Sequence, residues 1–168
     1  MKRWLVYILA AVVACAIVIL AIGSMLPRSH RATRMAEFNQ PPQAIFAAIT
    51  GPQDWRGVTT TDLTPSGGTR RWREQSGRWS ITFEEAESDP PRLFRSRIVG
   101  EDLPFSGTWT WQIAPTKDGC TCRITEEGSV NNPFFRFVSR FIMGQTRTID
   151  GYLEALGRKF GEPVKIEN

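Results

Sequence analysis

The sequence predicts an α+β protein, in which an antiparallel sheet packs against a long C-terminal helix and one transmembrane helix precedes both. Three observations lead to this class. An uncharged apolar run fills residues 4–26, alternating apolar and polar residues dominate residues 58–130, and apolar residues at helical spacing follow from residue 134. Periods of 2 and about 3.6 residues are those of a strand and an amphipathic helix that each bury one face.

The N-terminal run is long enough to cross a bilayer as a helix. Its 23 residues would rise roughly 34 Å, and a hydrocarbon core is about 30 Å thick. Trp4 and Tyr7 suit one membrane interface, and Pro27 ends the helix. A cleaved signal peptide is the alternative, but its apolar region is shorter and is followed by small residues, whereas this run ends in Ser-Met-Leu-Pro. We therefore expect an uncleaved anchor.

The basic excess belongs to the N-terminus. The chain has 21 Lys and Arg against 17 Asp and Glu, a net charge of +4. Five basic and no acidic residues lie in the first 34 positions, so 16 basic residues face 17 acidic ones in the remainder. Nucleic-acid binding needs a basic surface on the folded part, so this partner class is excluded. Two basic residues precede the apolar run and three follow it, which leaves the side of the membrane undetermined.

The folded part is expected to begin with a strand and a helix. Residues 32–38 are a candidate first strand. Residues 39–49 then show a helix start, with Asn39 or Gln40 as the cap, two prolines in the first turn and apolar residues at helical spacing. Gly51 and Pro52 would end this helix, and a short helical turn would carry Trp55.

The middle of the chain predicts an antiparallel meander with one covered face. Strands are expected near residues 69–74, 78–87, 92–100 and 105–115, followed by a hairpin turn at Asp118-Gly119. Alternation places Trp79 with Phe83, and Trp109 with Trp111, on one face of their strands. Short strands joined by tight turns are typical of an antiparallel sheet.

A single long amphipathic helix is predicted from residue 133 to residue 160. Asn132 would cap it, and Gly161 would end it. Gly144 and Gly151 lower its helix propensity and would permit a bend or a close approach. Its aromatic stretch, NPFFRFVSRFIMG, is compatible with a second membrane contact, a core helix or one wall of a pocket. Arginines interrupt the stretch too often for a second span, so we expect the helix to lie across the covered face of the sheet.

This order of elements resembles the helix-grip fold of the START/Bet v 1-like (SRPBCC) superfamily, which includes polyketide cyclases/dehydrases and lipid-transport proteins. The stretches that carry the resemblance are QPPQAIFAAITGPQDW, GTWTWQIAP, CRITEEGSVNNPFFRFVSRFIMG and TRTIDGYLEALGRKF. Together they are similar to membrane-anchored bacterial members of the superfamily. The resemblance implies a curved sheet wrapped around the long helix, with an internal cavity for lipids or other apolar molecules, and a location in the bacterial inner membrane.

The expected organisation follows from these elements and from the resemblance. Residues 1–27 are the transmembrane anchor, residues 28–34 a basic linker, residues 35–163 the START/Bet v 1-like ligand-binding domain and residues 164–168 a tail.

No catalytic set is visible in the predicted domain. The only histidine, His30, lies in the predicted linker, which argues against a Ser/His/Asp or Cys/His nucleophile. Cys120 and Cys122 are two residues apart, so on a strand both point to the same face, and a disulfide between them would be strained. Two cysteines are too few ligands for a zinc site, so we expect both to be small buried side chains. No cofactor and no metal are expected. One of Glu126 and Glu127 could point inward and support acid–base chemistry.

The candidate site is therefore an aromatic cavity between the sheet and the C-terminal helix. Leu103 and Phe105, in the loop of residues 100–107, are a candidate gate. Rings that merely fill the core are the alternative. The expected cavity walls are Trp79, Phe83, Phe94, Trp109, Trp111, Phe137 and Phe141.

We expect a single-pass membrane protein that binds a small hydrophobic ligand or lipid, with the bilayer as its other partner and no protein partner indicated. Two alternatives stay open. A polyketide cyclase/dehydrase-like enzyme predicts a buried polar group aimed into the cavity, whereas a protein-interaction module predicts a filled core and an exposed apolar patch. A plain binder predicts a cavity lined only by apolar side chains.

Overall fold

Four helices and eight strands form the structure, a computed structural model that describes residues 2–100, 103–144 and 146–168. The helices are α1 (Lys2–Met25), α2 (Pro42–Thr50), α3 (Pro133–Val138) and α4 (Arg147–Phe160). A 3-10 turn spans Asp54–Arg56, and a π-helical turn spans Ser139–Met143. The strands are β1 (Ser29–Phe38), β2 (Thr59–Asp62), β3 (Arg71–Ser76), β4 (Trp79–Asp89), β5 (Leu93–Val99), β6 (Phe105–Pro115), β7 (Cys120–Val130) and β8 (Ile166–Glu167).

The strands form one antiparallel sheet in the order β2-β3-β4-β5-β6-β7-β1-β8. The predicted hairpin joins β6 to β7, and the Thr116 N–H donates to the Gly119 carbonyl at 2.9 Å across the turn. A register shift between Glu85 and Glu87 marks a bulge in β4, which bends a strand and increases its twist. The predicted α+β class with an antiparallel sheet is confirmed.

The first strand begins earlier than the sequence pattern predicted. β1 pairs with β7 from Ser29 opposite Ser129, so residues 29–34 belong to the sheet and the expected basic linker over residues 28–34 is wrong. The basic residues of this segment suggested a linker, but they are compatible with a strand, because Arg31 lies on the exposed face while Ala32 and Ala36 are buried. The predicted tail also contains structure, because β8 pairs with β1.

Helix α4 covers the inner face of the sheet. Its apolar stripe, Ile149, Tyr152, Leu153 and Leu156, is at most 4% exposed. Its first turn is fixed to β1 by Arg34, whose Nε donates to Asp150 Oδ1 at 3.0 Å. At its other end the helix stops at Gly161, which adopts a left-handed conformation.

The predicted single C-terminal helix is two helices. Asn132 caps α3 as expected, and its Oδ1 accepts from the backbone N–H of Phe134 at 2.9 Å. The π-helical turn then ends at Gly144, whose φ of 76° and ψ of 143° take the chain out of the helical path at a conformation that favours glycine. Gln145, inside the predicted helix, lies outside the described residues.

Helix α3 packs against α1 rather than across the sheet. The contact is closest at Gly23, where an added Cβ would lie 2.0 Å from the Pro133 carbonyl oxygen. This arrangement leaves four large apolar side chains, Phe134, Phe135, Phe141 and Ile142, between 44% and 67% exposed.

Helix α1 has the length and composition of a membrane span. The most apolar 18-residue stretch of this helix has a mean hydropathy of 3.1, and none of that stretch is buried against the rest of the molecule. Within the described part of the chain it is the one helix that meets these criteria.

Candidate functional site

A cavity of about 310 Å³ lies between the inner face of the sheet and the helices that cover it. Strands β3 to β7 supply most of its wall, and Ile49 of α2 and Thr148 and Tyr152 of α4 close it from above. The space exists because the two-residue period of each strand sends its large side chains inward, while α4 begins only at residue 147.

The structure brings most of the predicted wall residues together around this cavity. Its lining includes Trp79, Phe83, Phe94, Trp109 and Trp111. Phe94 is 1% exposed at the base, whereas Trp79 is 71% exposed at the mouth.

The predicted gate is only partly at the cavity. Phe105 contributes to the lining and Leu103 does not. The start of β6 lies at the end of the sheet nearest α1, because Phe105 pairs with Val130 and Ser129 pairs with Ser29. Residues 101–102 of the predicted gate loop lie outside the described residues.

Phe137 and Phe141 are not part of the cavity wall, so their assignment to it is wrong. Their rings pack on each other with centroids 4.9 Å apart, on the segment that lies beside α1. The break at Gly144 separates this segment from α4, and of the two it is α4 that lines the cavity, through Thr148 and Tyr152.

Two aromatic residues of the wall, Trp72 and Tyr152, were missed from the sequence. The Trp72 ring lies 6.0 Å from that of Phe94, and the Tyr152 ring lies 5.8 Å from those of Trp109 and Trp111. Both follow the patterns that identified the other residues. Trp72 alternates along β3, and Tyr152 lies in the apolar stripe of α4.

A saturated polar network closes one end of the cavity. Glu74 accepts from Arg56 Nη1 at 3.1 Å and from the Trp72 indole N–H at 3.2 Å. Gln53 accepts from Arg56 at 3.3 Å and from the Tyr152 hydroxyl at 3.5 Å. Burial raises the pKa of Tyr152 well above its usual value, so this hydroxyl stays neutral. Because these groups satisfy one another, we interpret this end as structural.

The end of the cavity nearest α1 carries a carboxylate and an imidazole. Glu126 on β7 lines the cavity, and its Oε1 lies 3.7 Å from His30 Nε2 on β1. The His30 ring lies over Gly128, where an added Cβ would be 2.3 Å from His30 Cε1, so only glycine leaves room for it. The exclusion of His30 as a linker residue is therefore wrong, because it belongs to the sheet. A carboxylate beside an imidazole has the composition of an acid–base pair.

One residue of the cavity wall carries a buried polar atom without a hydrogen-bond partner. The indole N–H of Trp111 is buried and has no hydrogen-bond partner among the described residues. The cavity wall is thus mostly apolar and rich in aromatic rings, but it also contains polar side chains, whereas a plain binder would be lined only by apolar ones.

The two neighbouring cysteines lie away from the cavity lining. Cys120 and Cys122 are both fully buried and unpaired, and burial raises the pKa of Cys120 to about 11. Within the described ranges, no three His, Cys, Asp or Glu side chains are grouped so that they could hold a metal ion.

The family model described as polyketide cyclase / dehydrase and lipid transport matches residues 29–161. The match begins at the first residue of β1 and ends just after α4, so it covers the sheet and its covering helix. No curated protein gives a significant match.

Solved structures share the fold at low sequence identity. Truncated norcoclaurine synthase from Thalictrum flavum matches with a TM-score of 0.61 and 16% identity, over 80% of this chain and 94% of that one. The same enzyme in complex with dopamine and hydroxybenzaldehyde matches with a TM-score of 0.58 and 14% identity, over 79% and 86% of the two chains. A structural-genomics target from Mesorhizobium loti matches with a TM-score of 0.60 and 16% identity, over 79% and 96%. These likenesses show the fold alone, and they confirm the predicted helix-grip architecture.

Proposed function

The chain belongs to the polyketide cyclase / dehydrase and lipid transport family, and we propose that it is a membrane-anchored protein that binds a small, mostly apolar ligand in the cavity beneath α4. The observation that carries this proposal is the open space of about 310 Å³ inside an aromatic shell. Protein cores leave few voids larger than a water molecule, whereas ligand pockets are typically about 300–1,000 Å³ and largely apolar. The space argues against an interaction module with a filled core.

The polar groups indicate a ligand with at least one polar atom. The unpaired Trp111 N–H offers a hydrogen bond to a carbonyl or hydroxyl oxygen, and Glu126 accepts from a donor at the end nearest α1. A bound hydrocarbon would leave the Trp111 N–H without a partner, which is unfavourable for a buried polar atom. An amphiphilic molecule with an apolar body fits this wall better.

Binding is tested with the full chain in lipid nanodiscs. Addition of cis-parinaric acid, a fluorescent fatty acid, should give energy transfer from the cavity tryptophans that saturates at one molecule per chain. Empty nanodiscs supply the background from partition into lipid. A signal that rises without saturation, as it does for probe dissolved in the bilayer, would contradict binding in the cavity.

The anchor is the second part of the proposal. α1 has the length to span the inner membrane of a bacterium, and β1 begins at Ser29, only four residues after α1 ends at Met25. So short a connection would hold the cavity at the membrane surface, where a lipid could enter it. The intact mass of the chain recovered from alkaline-washed membranes should include residues 1–27. A soluble chain that lacks them would indicate a cleaved signal sequence.

A second candidate function, favoured by Glu126 and His30, is proton transfer on the bound molecule. In this case Glu126 acts as general base toward a C–H beside a carbonyl, and His30 stabilises the carboxylate. Ligand recovered from the protein after incubation in D₂O should carry carbon-bound deuterium with the wild type and not with Glu126→Gln. Equal labelling with both proteins would exclude this role.

A further inference from the structure

A second pocket, outside the cavity, lies where the anchor meets the domain. Its volume is about 330 Å³, and its lining runs from Leu26 at the end of α1 through the start of β1 to α3 and the π-helical turn. Four arginines contribute to it, Arg28, Arg31, Arg136 and Arg140. We call it the junction pocket.

Arg136 is the buried member of this group. It is 8% exposed, and its guanidinium donates to the carbonyls of Leu26 at 2.9 Å, Ser24 at 3.4 Å and Asn131 at 3.3 Å. Its Nε–H has no hydrogen-bond partner within the described part of the chain. No carboxylate among those residues lies within ion-pair distance of Arg136. A desolvated charge without a counter-ion is costly, so an anion in this pocket would stabilise the joint.

Two glutamates of β7 lie near the pocket. Glu127 lies 3.7 Å from Arg31, and both side chains are more than half exposed, so water weakens this pair. Glu126 lies beside His30 and faces the cavity. Neither glutamate lines the junction pocket.

The surroundings of the junction pocket match the edge of a bilayer. α1 ends at Met25, directly before the pocket, and Phe134, Phe135, Phe141 and Ile142 expose apolar surface from the neighbouring segment. With α1 across the membrane, these four side chains would lie among the acyl chains at the level where the helix leaves the hydrocarbon. Arginines just beyond that level meet phosphate groups, and their planar fork binds a phosphate through two hydrogen bonds.

We propose that the junction pocket binds the phosphate of an anionic phospholipid from the leaflet in which α1 ends. Arg28, Arg136 and Arg140 would hold the phosphate, and the exposed phenylalanines would pack on the acyl chains. The site is separate from the cavity, and the proposal rests only on the anchoring part of the proposed function.

The test measures lipid retained by the full chain. The protein is purified in neutral detergent with equal amounts of phosphatidylglycerol and phosphatidylcholine, and its bound lipids are weighed by native mass spectrometry. The wild type should retain one phosphatidylglycerol per chain with a preference of about tenfold or more, the equivalent of about 1.4 kcal/mol. Equal retention of the two lipids would overturn the proposal.

Three variants locate the lipid. Arg28→Gln/Arg140→Gln, which leaves the backbone contacts of Arg136 in place, should lose the preference. Arg158→Gln, a matched change at an exposed arginine of α4 that lies 3.9 Å from Glu154, should keep it. Ser96→Phe, which obstructs the cavity, should keep it as well. A preference that survives in the double variant, or one that disappears in Ser96→Phe, would overturn the junction pocket as the site.

A last arm separates a lipid headgroup from free phosphate, with thermal unfolding in detergent as the readout. Short-chain dihexanoyl phosphatidylglycerol should raise the unfolding temperature of the wild type and not that of the double variant, whereas inorganic phosphate should have little effect. An equal shift with inorganic phosphate would make this a soluble-anion site and overturn the lipid assignment. Failure of the anchor itself appears separately, as a purified chain that lacks residues 1–27.

Discussion

Replacing Ser96 with phenylalanine should block the cavity without unfolding the domain. Ser96 lies on β5 opposite Trp109, is 1% exposed and lines the cavity. A larger side chain in a filled core costs about 1–3 kcal/mol through overpacking. At Ser96 the ring would enter open space, so we expect a stability change at or below the lower end of that range.

The size of the binding effect follows from the cavity volume. A dry apolar cavity of about 150 Å³ holds one benzene molecule. One phenyl ring should therefore occupy about half of the roughly 310 Å³ available. Excluding only two ligand methylenes forfeits about 1.6 kcal/mol, at about 0.8 kcal/mol each, so affinity should fall at least about tenfold.

The assay is the cis-parinaric acid titration in nanodiscs. Ser80→Phe is the matched control, because Ser80 is exposed on the outer face of the neighbouring strand β4 and does not line the cavity. This control should bind the probe as the wild type does. Undiminished binding by a Ser96→Phe protein that unfolds at the wild-type temperature would refute the reasoning, since the ligand would then lie elsewhere.

Three further predictions concern stability and reactivity. Phe94→Ala should lower the free energy of unfolding by about 3–5 kcal/mol in thermal or denaturant unfolding, because Phe94 is 1% exposed and packs on two tryptophan rings; a loss below about 1 kcal/mol would show that the base of the cavity is not packed. The pKa of the Glu84 carboxyl lies below its usual range, because Arg97 and Arg71 both donate hydrogen bonds to it. The ionised Glu84 therefore stabilises the folded state above its unfolded pKa of about 4.3, and this stabilisation is lost as the pH falls through its folded pKa. Unfolding temperatures should show Glu84→Gln less stable than the wild type at pH 7, with a gap that narrows below about pH 4; a gap that is independent of pH would contradict the ion pairs. Cys120, whose pKa burial raises to about 11, and the fully buried Cys122 should react with a maleimide at pH 8 only after unfolding, and peptide mapping of rapid native labelling at either thiol would contradict their burial.

Residue patterns were sufficient for much of the fold. Alternation placed Trp79, Phe83, Trp109 and Trp111 on the inner face of their strands, because a strand with one buried face must repeat every two residues. The Asp118-Gly119 pair located the β6–β7 hairpin, and Asn132 located the start of α3. These are local signals, so they can be read from short stretches of sequence.

The errors arose where tertiary contacts decide the outcome. Helical spacing continues through Gly144, and no local signal says that α3, which carries Phe137, packs beside α1 rather than on the sheet. His30 was set aside because basic residues and a nearby membrane helix suggested a linker, whereas its strand is defined by pairing with β7, almost 100 residues later. The approach of His30 to Glu126 depends on that register and was not predictable from either segment alone.

The measurement that tests the central claim most directly is the native mass of the full chain released from nanodiscs made with lipids of its own membrane. We expect one small, mostly apolar ligand per chain in the wild type and in Ser80→Phe, identifiable after release, and none in Ser96→Phe. Ligand binding in the cavity beneath α4 would be contradicted if the wild type carried no such ligand, or if Ser96→Phe carried the same one.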